Sequence, residues 1–402
     1  MKSFPSTSRI IRFATLAALG GLAACTSSAP VTTPGSGGKS GGTGGASMGG
    51  AGTGGSGTGG SGTGGTGTGG TGTGGSSSGG ASGDSGTGPG DGAADLMSLD
   101  GPADAASGWG GVAGIEDFST VKQTAGCGAD PGQPLNTWNR YTVTIPPPGP
   151  GRGTGMREYY IKLPANYNNK KPYYLIFTAP GCGGIGNRPT FDYATAAGTE
   201  GVIQIGVSPD PGASQNGPCF DDKRTDSVEY KYFDTMFDAA SKKLCFDQHK
   251  VFFGGHSSGS WLANQMGCVY GMTKIRAIAP ASGGLADQPG EAPPCTMLPT
   301  PGIWSHNENE PKETDNPAGN PFVGTRRAIT RALKVNHCVG DFDTSKREPY
   351  TAVGTAMGIC EKFSSCPPEF PIVLCHPKSP SGHSDNLGPQ PARGWEFFKS
   401  LP

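Results

Sequence analysis

The chain has 402 residues, of which 71 are glycine; only 16% of the residues are charged, and the formal net charge is −1. A chain without net positive charge or a run of Lys and Arg is not typical of a nucleic-acid-binding protein, so we expect no nucleic-acid partner. It also lacks an apolar run of about 18 residues, so we expect no transmembrane helix.

The first 24 residues carry the features of an export signal. Basic residues at positions 2, 9 and 12 precede a short apolar stretch, and residues 22–25 read Leu-Ala-Ala-Cys. This pattern resembles the signal of bacterial lipoproteins, which implies cleavage before Cys25 and a lipid anchor on that residue. Because Thr26 and not Asp follows, the resemblance implies anchoring in the outer membrane or export to the cell surface. The alternative is an ordinary signal peptide that is followed by a cysteine.

Residues 25–108 are predicted to be a flexible linker rich in glycine, serine and threonine. Residues 34–92 alone hold 31 of the 71 glycines. Such a segment has too few apolar side chains to bury a core. The remaining residues, 109–402, are numerous enough for one domain with its own core, and we expect that domain to be a monomer.

Predicted strands and helices alternate along residues 109–402. A half-buried strand is predicted at 140–145, where polar and β-branched residues alternate, and a less regular one at 157–163. Short apolar runs predict strands buried on both faces at 173–177, 202–207, 250–253, 277–279, 303–304 and 372–374. Helical patterns lie at 228–243, 258–270, 326–335 and 395–401. This order predicts an α/β fold with a mostly parallel sheet and helices on both faces.

The helix predicted at 228–243 has the clearest pattern. Tyr232, Met236, Phe237 and Ala240 share one face, which we expect to be buried. Asp226 or Ser227 is the expected N-cap.

Ten cysteines follow Cys25, at positions 127, 182, 219, 245, 268, 295, 338, 360, 366 and 375. An even number in an exported domain predicts disulfide bonds. Short sequence separation favours the pairs Cys366–Cys375 and Cys268–Cys295. Zinc binding is the alternative, but no Cys-x-x-Cys spacing is present, so we expect no metal.

The segment 255–259 reads Gly-His-Ser-Ser-Gly and lies between a predicted strand and a predicted helix. In this context the Gly-x-Ser-x-Gly pattern predicts a sharp turn that presents the Ser257 hydroxyl as a nucleophile. Glycine fits two positions before and after the serine, because side chains there would collide with neighbouring elements. The turn also places the N–H of Ser258 at a helix N-terminus, where it can bind an oxyanion. A plain glycine-rich turn is the alternative.

A second oxyanion donor is expected after the strand at 173–177. Residues 181–184 read Gly-Cys-Gly-Gly, and glycines allow several backbone N–H groups to face one point. We assign the donor to the N–H of Cys182. The alternative is an ordinary turn.

His383 is the expected general base. It lies on a loop after the last predicted strand and before the final helix, as the chain order serine, acid, histidine requires. His306 and His337 come too early for that order, and His256, beside the nucleophile, is predicted to point the wrong way. A surface loop histidine is the alternative for His383.

The acid that orients His383 is expected in the loop 306–315, after the strand near residue 304. Four carboxylates occur there, most of them expected to be solvated. By distance from the strand we rank Glu310 first, then Asp315, then Glu313.

These motifs together resemble the secreted polyhydroxybutyrate depolymerase and feruloyl esterase group of α/β-hydrolases. The resemblance covers nearly all of residues 124–402 and rests on the segments 124–128, 157–160, 163–167, 181–184, 255–259 and 381–383. It implies an α/β-hydrolase fold with Ser257 as the nucleophile, His383 as the base and the N–H groups of Cys182 and Ser258 as oxyanion donors. Two positions depart from the group: Pro180 stands where histidine is usual, and Glu310 where the acid is usually Asp.

The expected function is therefore that of an exported serine esterase that needs no cofactor. The resemblance implies feruloyl or acetyl esters of plant cell walls as substrates, with hydroxyalkanoate esters next, and the substrate is expected to be polymeric in some cases. Two other classes stay open: an inactive hydrolase fold that binds polysaccharide at the cell surface, and a serine peptidase.

Overall fold

The structure is a computed structural model that describes residues 117–145, 155–211, 218–220, 225–286, 292–307, 323–351, 359–376, 383 and 389–402. The chain divides into two units, residues 1–98 and 99–402, and all described residues belong to the second. Cys25 and the predicted signal and linker lie outside the described residues. None of the helices in the described ranges is both long enough and apolar enough to cross a membrane.

A ten-stranded sheet forms the centre of the described part of the chain. In chain order its strands are β1 (Trp138–Thr144), β2 (Met156–Lys162), β3 (Tyr173–Ala179), β4 (Ile203–Val207), β5 (Phe246–His256), β6 (Ala277–Ala281), β7 (Gly302–Ser305), β8 (Arg347–Pro349), β9 (Ile359–Phe363) and β10 (Ile372–His376). The spatial order is β1-β2-β4-β3-β5-β6-β7-β10-β9-β8. From β4 to β10 all neighbours are parallel, and both edges are antiparallel. The predicted mostly parallel sheet is confirmed.

Helices cover both faces of this sheet. They are α1 (Tyr193–Ala196), α2 (Val228–Lys243), α3 (Ser258–Tyr270), α4 (Val323–Val335) and α5 (Gln390–Ser400). Successive strand residues point to opposite faces: Val251 and Phe253 pack with side chains of α2, α3 and α4, whereas Phe252 packs with side chains of α1 and α5. The parallel strands are therefore mostly apolar on both faces, which is why they read as nearly continuous apolar runs.

Helix α2 has the predicted bounds because its start signal is local. The Ser227 hydroxyl accepts a hydrogen bond from the N–H of Glu229 at 3.2 Å, which makes Ser227 the N-cap. All four side chains of the predicted face are buried. Lys242 and Lys243 lie in the last turn, where cations favour the helix dipole.

Three short elements, α1, β8 and β9, were not predicted. Strand β8 consists of Arg-Glu-Pro, and β9 carries two charged residues within five positions, so neither has an apolar run. They form an antiparallel extension of the sheet beyond β10. Strands at such an edge stay partly solvated, which explains why apolar patterning missed them.

All ten described cysteines form disulfides: Cys127–Cys245, Cys182–Cys219, Cys268–Cys295, Cys338–Cys366 and Cys360–Cys375. The alternative of cysteine zinc ligands is thereby wrong, and the Cys268–Cys295 prediction is confirmed. Because disulfides persist in oxidising environments, the five bonds indicate a protein that works outside the cytosol.

The predicted pair Cys366–Cys375 is wrong. Cys360 lies directly opposite Cys375 in the β9–β10 ladder. Cys366 packs in the core on the α2–α3–α4 face, whereas Cys375 packs on the α1–α5 face. The two residues are close in sequence but are separated by the sheet.

Candidate active site

Ser257 lies at the turn between β5 and α3. Its backbone angles are φ 55° and ψ −122°. Residues other than glycine rarely adopt this conformation, which costs about 1–3 kcal/mol. The turn is held on both sides: the Ser257 N–H donates to Ala281 O at 3.0 Å, and its carbonyl accepts from the N–H groups of Ser260 at 2.8 Å and Trp261 at 3.1 Å. The nucleophile candidate is therefore fixed by its backbone.

The two glycines of the motif are required by close packing. A β-carbon on Gly255 would lie 2.0 Å from the carbonyl oxygen of Gly259, and one on Gly259 would lie 2.1 Å from the carbonyl oxygen of Ala179. Both distances are far inside van der Waals contact, so the first turn of α3 meets the ends of β5 and β3 only through glycine. This is the physical reason that the sequence predicted.

His383 lies against the nucleophile candidate. Its Nε2 is 2.9 Å from the Ser257 Oγ, which is hydrogen-bond distance for a serine and a general base. The structure thus brings together the two residues, 126 positions apart in the chain, that the sequence assigned as nucleophile and base.

His256 also contacts the predicted base, which sequence reasoning missed. Its Nε2 is 3.2 Å from the backbone oxygen of His383, and the two rings lie 5.0 Å apart. Since a carbonyl oxygen only accepts, Nε2 of His256 carries the proton and donates. A signal was available: alternation along β5 puts His256 on the same face as Phe252, where α5 packs, and His383 lies seven residues before the start of α5.

The predicted oxyanion loop lies over the nucleophile candidate. A β-carbon on Gly181 would be 3.2 Å from the Cβ and 3.7 Å from the Oγ of Ser257, so the backbone passes close to the hydroxyl. Cys182 follows, and Gly183 then adopts a φ of +77° that turns the chain. Pro180 comes after the last residue of β3, so its missing N–H does not interrupt the strand pairing.

Ser258, the other predicted donor, is the first residue of α3. The first N–H groups of an α-helix have no acceptor within the helix, and they carry the positive end of its dipole. This position suits a group that binds a developing negative charge beside Ser257.

His306 has a structural role at the end of β7. It is fully buried, and its Nδ1 is 3.0 Å from the Thr325 Oγ1. Thr325 donates its hydroxyl proton to Gly283 O at 2.7 Å. In the contact between His306 and Thr325, the Nδ1–H of His306 is therefore the donor and the Thr325 hydroxyl oxygen the acceptor. The network joins β7, α4 and the segment after β6, which agrees with excluding His306 as the base.

The three ranked acids, Glu310, Asp315 and Glu313, lie outside the described residues. The chain that leads to them is described as far as Asn307, which is buried. Among the described residues no three His, Cys, Asp or Glu side chains are grouped closely enough to hold a metal ion. A cavity of about 790 Å³ lies beside α4 but is lined by neither Ser257 nor His383.

No protein-family model matches the chain. It is 25% identical over 293 residues to the probable feruloyl esterase C of Aspergillus terreus, which covers 70% of this chain and 92% of that protein. It is 27% identical over 252 residues to feruloyl esterase C of Emericella nidulans, an alignment that covers 60% of this chain and 83% of that protein. Among solved structures, the acetyl xylan esterase from Aspergillus awamori aligns with 65% of this chain and 99% of its own, at a TM-score of 0.44 and 16% identity. The chain is thus similar to feruloyl esterases over most of their length, which supports carboxylic ester hydrolysis, and its own mostly parallel sheet with helices on both faces is the architecture of the α/β-hydrolases.

Proposed function

We propose that the chain is a serine esterase in which Ser257 is the nucleophile and His383 the general base. The observation that carries the proposal is the 2.9 Å contact between Ser257 Oγ and His383 Nε2. The Ser257 hydroxyl attacks the ester carbonyl while Nε2 of His383 takes its proton. The same nitrogen then donates the proton to the leaving alcohol, and an activated water releases the acid from the acyl-enzyme.

The N–H groups of Cys182 and Ser258 bind the oxyanion of the tetrahedral intermediate in this proposal. The support is positional: the Gly181 backbone passes close to the Ser257 hydroxyl, and Ser258 begins α3. Such donors act because they already point to where the charge develops.

A carboxylate of the loop after β7 orients His383 by accepting from its Nδ1–H, and Glu310 is our first choice. Loss of such an acid can lower turnover by about 10⁴-fold. We expect Glu310→Gln to be severely impaired, and Asp315→Asn and Glu313→Gln to stay near wild type. Normal rates for Glu310→Gln with loss in Asp315→Asn would move the role to Asp315. Normal rates in all three variants would contradict a triad acid in this group of residues.

Feruloyl and acetyl esters are the proposed substrates, with hydroxyalkanoate esters as the second choice. The names of the curated relatives, feruloyl esterases, support the first choice. They also favour ester hydrolysis over an inactive polysaccharide-binding fold or a serine peptidase. Initial rates on methyl ferulate, p-nitrophenyl acetate, hydroxybutyrate oligomers and a peptide panel would rank these substrates.

The decisive test of the nucleophile is Ser257→Ala. Turnover of p-nitrophenyl acetate should fall by about 10³-fold or more. Ser241→Ala is a matched control, because that hydroxyl bonds to Phe237 O near the end of α2, which leads into the start of β5, whereas Ser257 follows the other end of that 11-residue strand. A Ser257→Ala variant that keeps activity within about tenfold of wild type would refute the assignment.

We further propose that residues 1–24 are a lipoprotein signal, that Cys25 carries the lipid, and that residues 25–108 tether the catalytic domain 109–402 to the membrane. The Leu-Ala-Ala-Cys pattern at 22–25 and the glycine-rich composition support this. Cys25→Ser should move the protein from the membrane fraction to the soluble fraction. A variant that stays in the membrane fraction would contradict the anchor.

A further inference from the structure

Residues 218–220, which we call the brace, lie against the loop that carries the first proposed oxyanion donor. Cys219 forms a disulfide with Cys182, with 4.4 Å between the two Cα atoms. Beside it, the Gly183 N–H donates to the carbonyl of Pro218 at 2.7 Å. The brace therefore holds the Gly-Cys-Gly-Gly loop through one covalent bond and one short hydrogen bond.

The same three residues also reach the second proposed donor. The N–H of Phe220 donates to the Oγ of Ser258 at 3.0 Å, and this bond is buried. The Phe220 side chain, 4% exposed, packs in the core on the α2–α3–α4 face. The brace is thus anchored in the core at one end and joined to both donors.

The two donors need such a link because they belong to different elements. Cys182 lies on the loop after β3, and Ser258 begins α3. An oxyanion hole works only when both N–H groups lie about 2.7–3.1 Å from the charged oxygen. An error of about 1 Å in such a site can cost about 100-fold in rate.

We propose that the brace is a positioning segment that sets the separation of the two oxyanion donors. This inference rests on the proposed function of Ser257, Cys182 and Ser258. The brace acts through its contacts with the donor residues, so it should control kcat and leave substrate affinity nearly unchanged.

The disulfide of the brace also differs from the other four in its accessibility. Cys182 is exposed and Cys219 is half-buried, whereas each of the other bonds includes at least one buried cysteine: Cys245, Cys268, Cys366, or both Cys360 and Cys375. A dithiol should therefore reduce Cys182–Cys219 first, because exchange requires access to a sulfur. In this exchange the dithiol is oxidised to a cyclic disulfide. Its two electrons and two protons pass to the Cys182–Cys219 bond, which is reduced to two thiols.

The first test compares two double variants of the full chain. Cys182→Ser with Cys219→Ser removes the bond of the brace, and Cys338→Ser with Cys366→Ser removes a bond of similar sequence separation, 28 against 37 residues. Both lose a similar constraint on the unfolded chain. We expect kcat on p-nitrophenyl acetate to fall about 10- to 100-fold only in the first, with KM changed less than about threefold.

Two further measurements keep the inference testable if that variant does not fold. Wild-type enzyme, reduced mildly with dithiothreitol and alkylated, should lose kcat in step with alkylation of Cys182 and Cys219, as followed by mass spectrometry. Ser258→Ala should lower kcat about tenfold, and Ser258→Thr, which keeps the hydroxyl, should recover most of it.

The results separate this inference from the proposed function. Wild-type enzyme whose turnover depends on Ser257, but which keeps its kcat when Cys182 and Cys219 are alkylated or replaced, would overturn the brace and leave the esterase intact. Wild-type enzyme without Ser257-dependent turnover would instead overturn the proposed function.

Discussion

Replacing Gly181 by alanine should damage catalysis with little loss of stability. The added β-carbon would lie 3.2 Å from Ser257 Cβ, 3.5 Å from His256 Nδ1 and 3.7 Å from Ser257 Oγ. Carbon atoms pack comfortably at about 3.5–4.0 Å, so either the loop or the serine must move by a few tenths of an ångström. Ser257 is held by three backbone hydrogen bonds, and we therefore expect the loop to move.

The size of the effect follows from what the loop carries. A shift of Gly181 moves the N–H of Cys182 away from the proposed oxyanion, and loss of one such donor costs about 10²–10³-fold in kcat. Because the shift is a fraction of an ångström, we expect a smaller loss of about 10- to 100-fold in kcat/KM. The Gly181 backbone does not adopt a left-handed conformation, so alanine adds no backbone strain there.

The assay combines kcat/KM on p-nitrophenyl acetate with the thermal unfolding midpoint. Gly198→Ala is the matched control: Gly198 has φ +53° with no neighbouring atom within 4 Å of a β-carbon, so alanine strains the backbone without blocking any site. We expect that control to lose about 1 kcal/mol of stability and to keep its activity. A Gly181→Ala enzyme with kcat/KM within about threefold of wild type would refute the reasoning.

Two other variants test a buried ion pair between β2 and α2 and the contact of His256 with His383. Glu229→Gln should lower the free energy of unfolding by about 3–5 kcal/mol in a urea titration, because it weakens a fully buried ion pair with Arg157 whose two N–O distances are 2.8 and 3.0 Å. Replacing both residues by Leu should recover most of that loss. A normal unfolding midpoint in Glu229→Gln would contradict this prediction. His256→Phe should keep the melting temperature but lower kcat about tenfold, since the His383 carbonyl loses its donor; unchanged kcat would show that this contact does not position the base.

Much of the fold is determined by short stretches of sequence. Helices α2 and α3 begin and end where the sequence predicts, because capping side chains, apolar periodicity and the strand-to-helix turn act over a few residues. The parallel strands were predicted from their apolar runs, since burial on both faces favours apolar residues at successive positions. Local patterns of the same kind also predicted the strand-to-helix turn at Ser257 and the glycine-rich loop after β3.

What the sequence left open depends on contacts between distant parts of the chain. The pairing of Cys360 with Cys375 follows from the register of β9 and β10, which no nearby residue specifies. The contact of His256 with His383 joins two residues 127 positions apart in the chain. The brace at 218–220 joins the loop after β3 to the start of α3. Its Pro-Cys-Phe sequence is too short to show any periodicity. Side-chain patterns report burial and local turns, whereas these contacts arise only when the parallel sheet aligns the carboxyl ends of its strands.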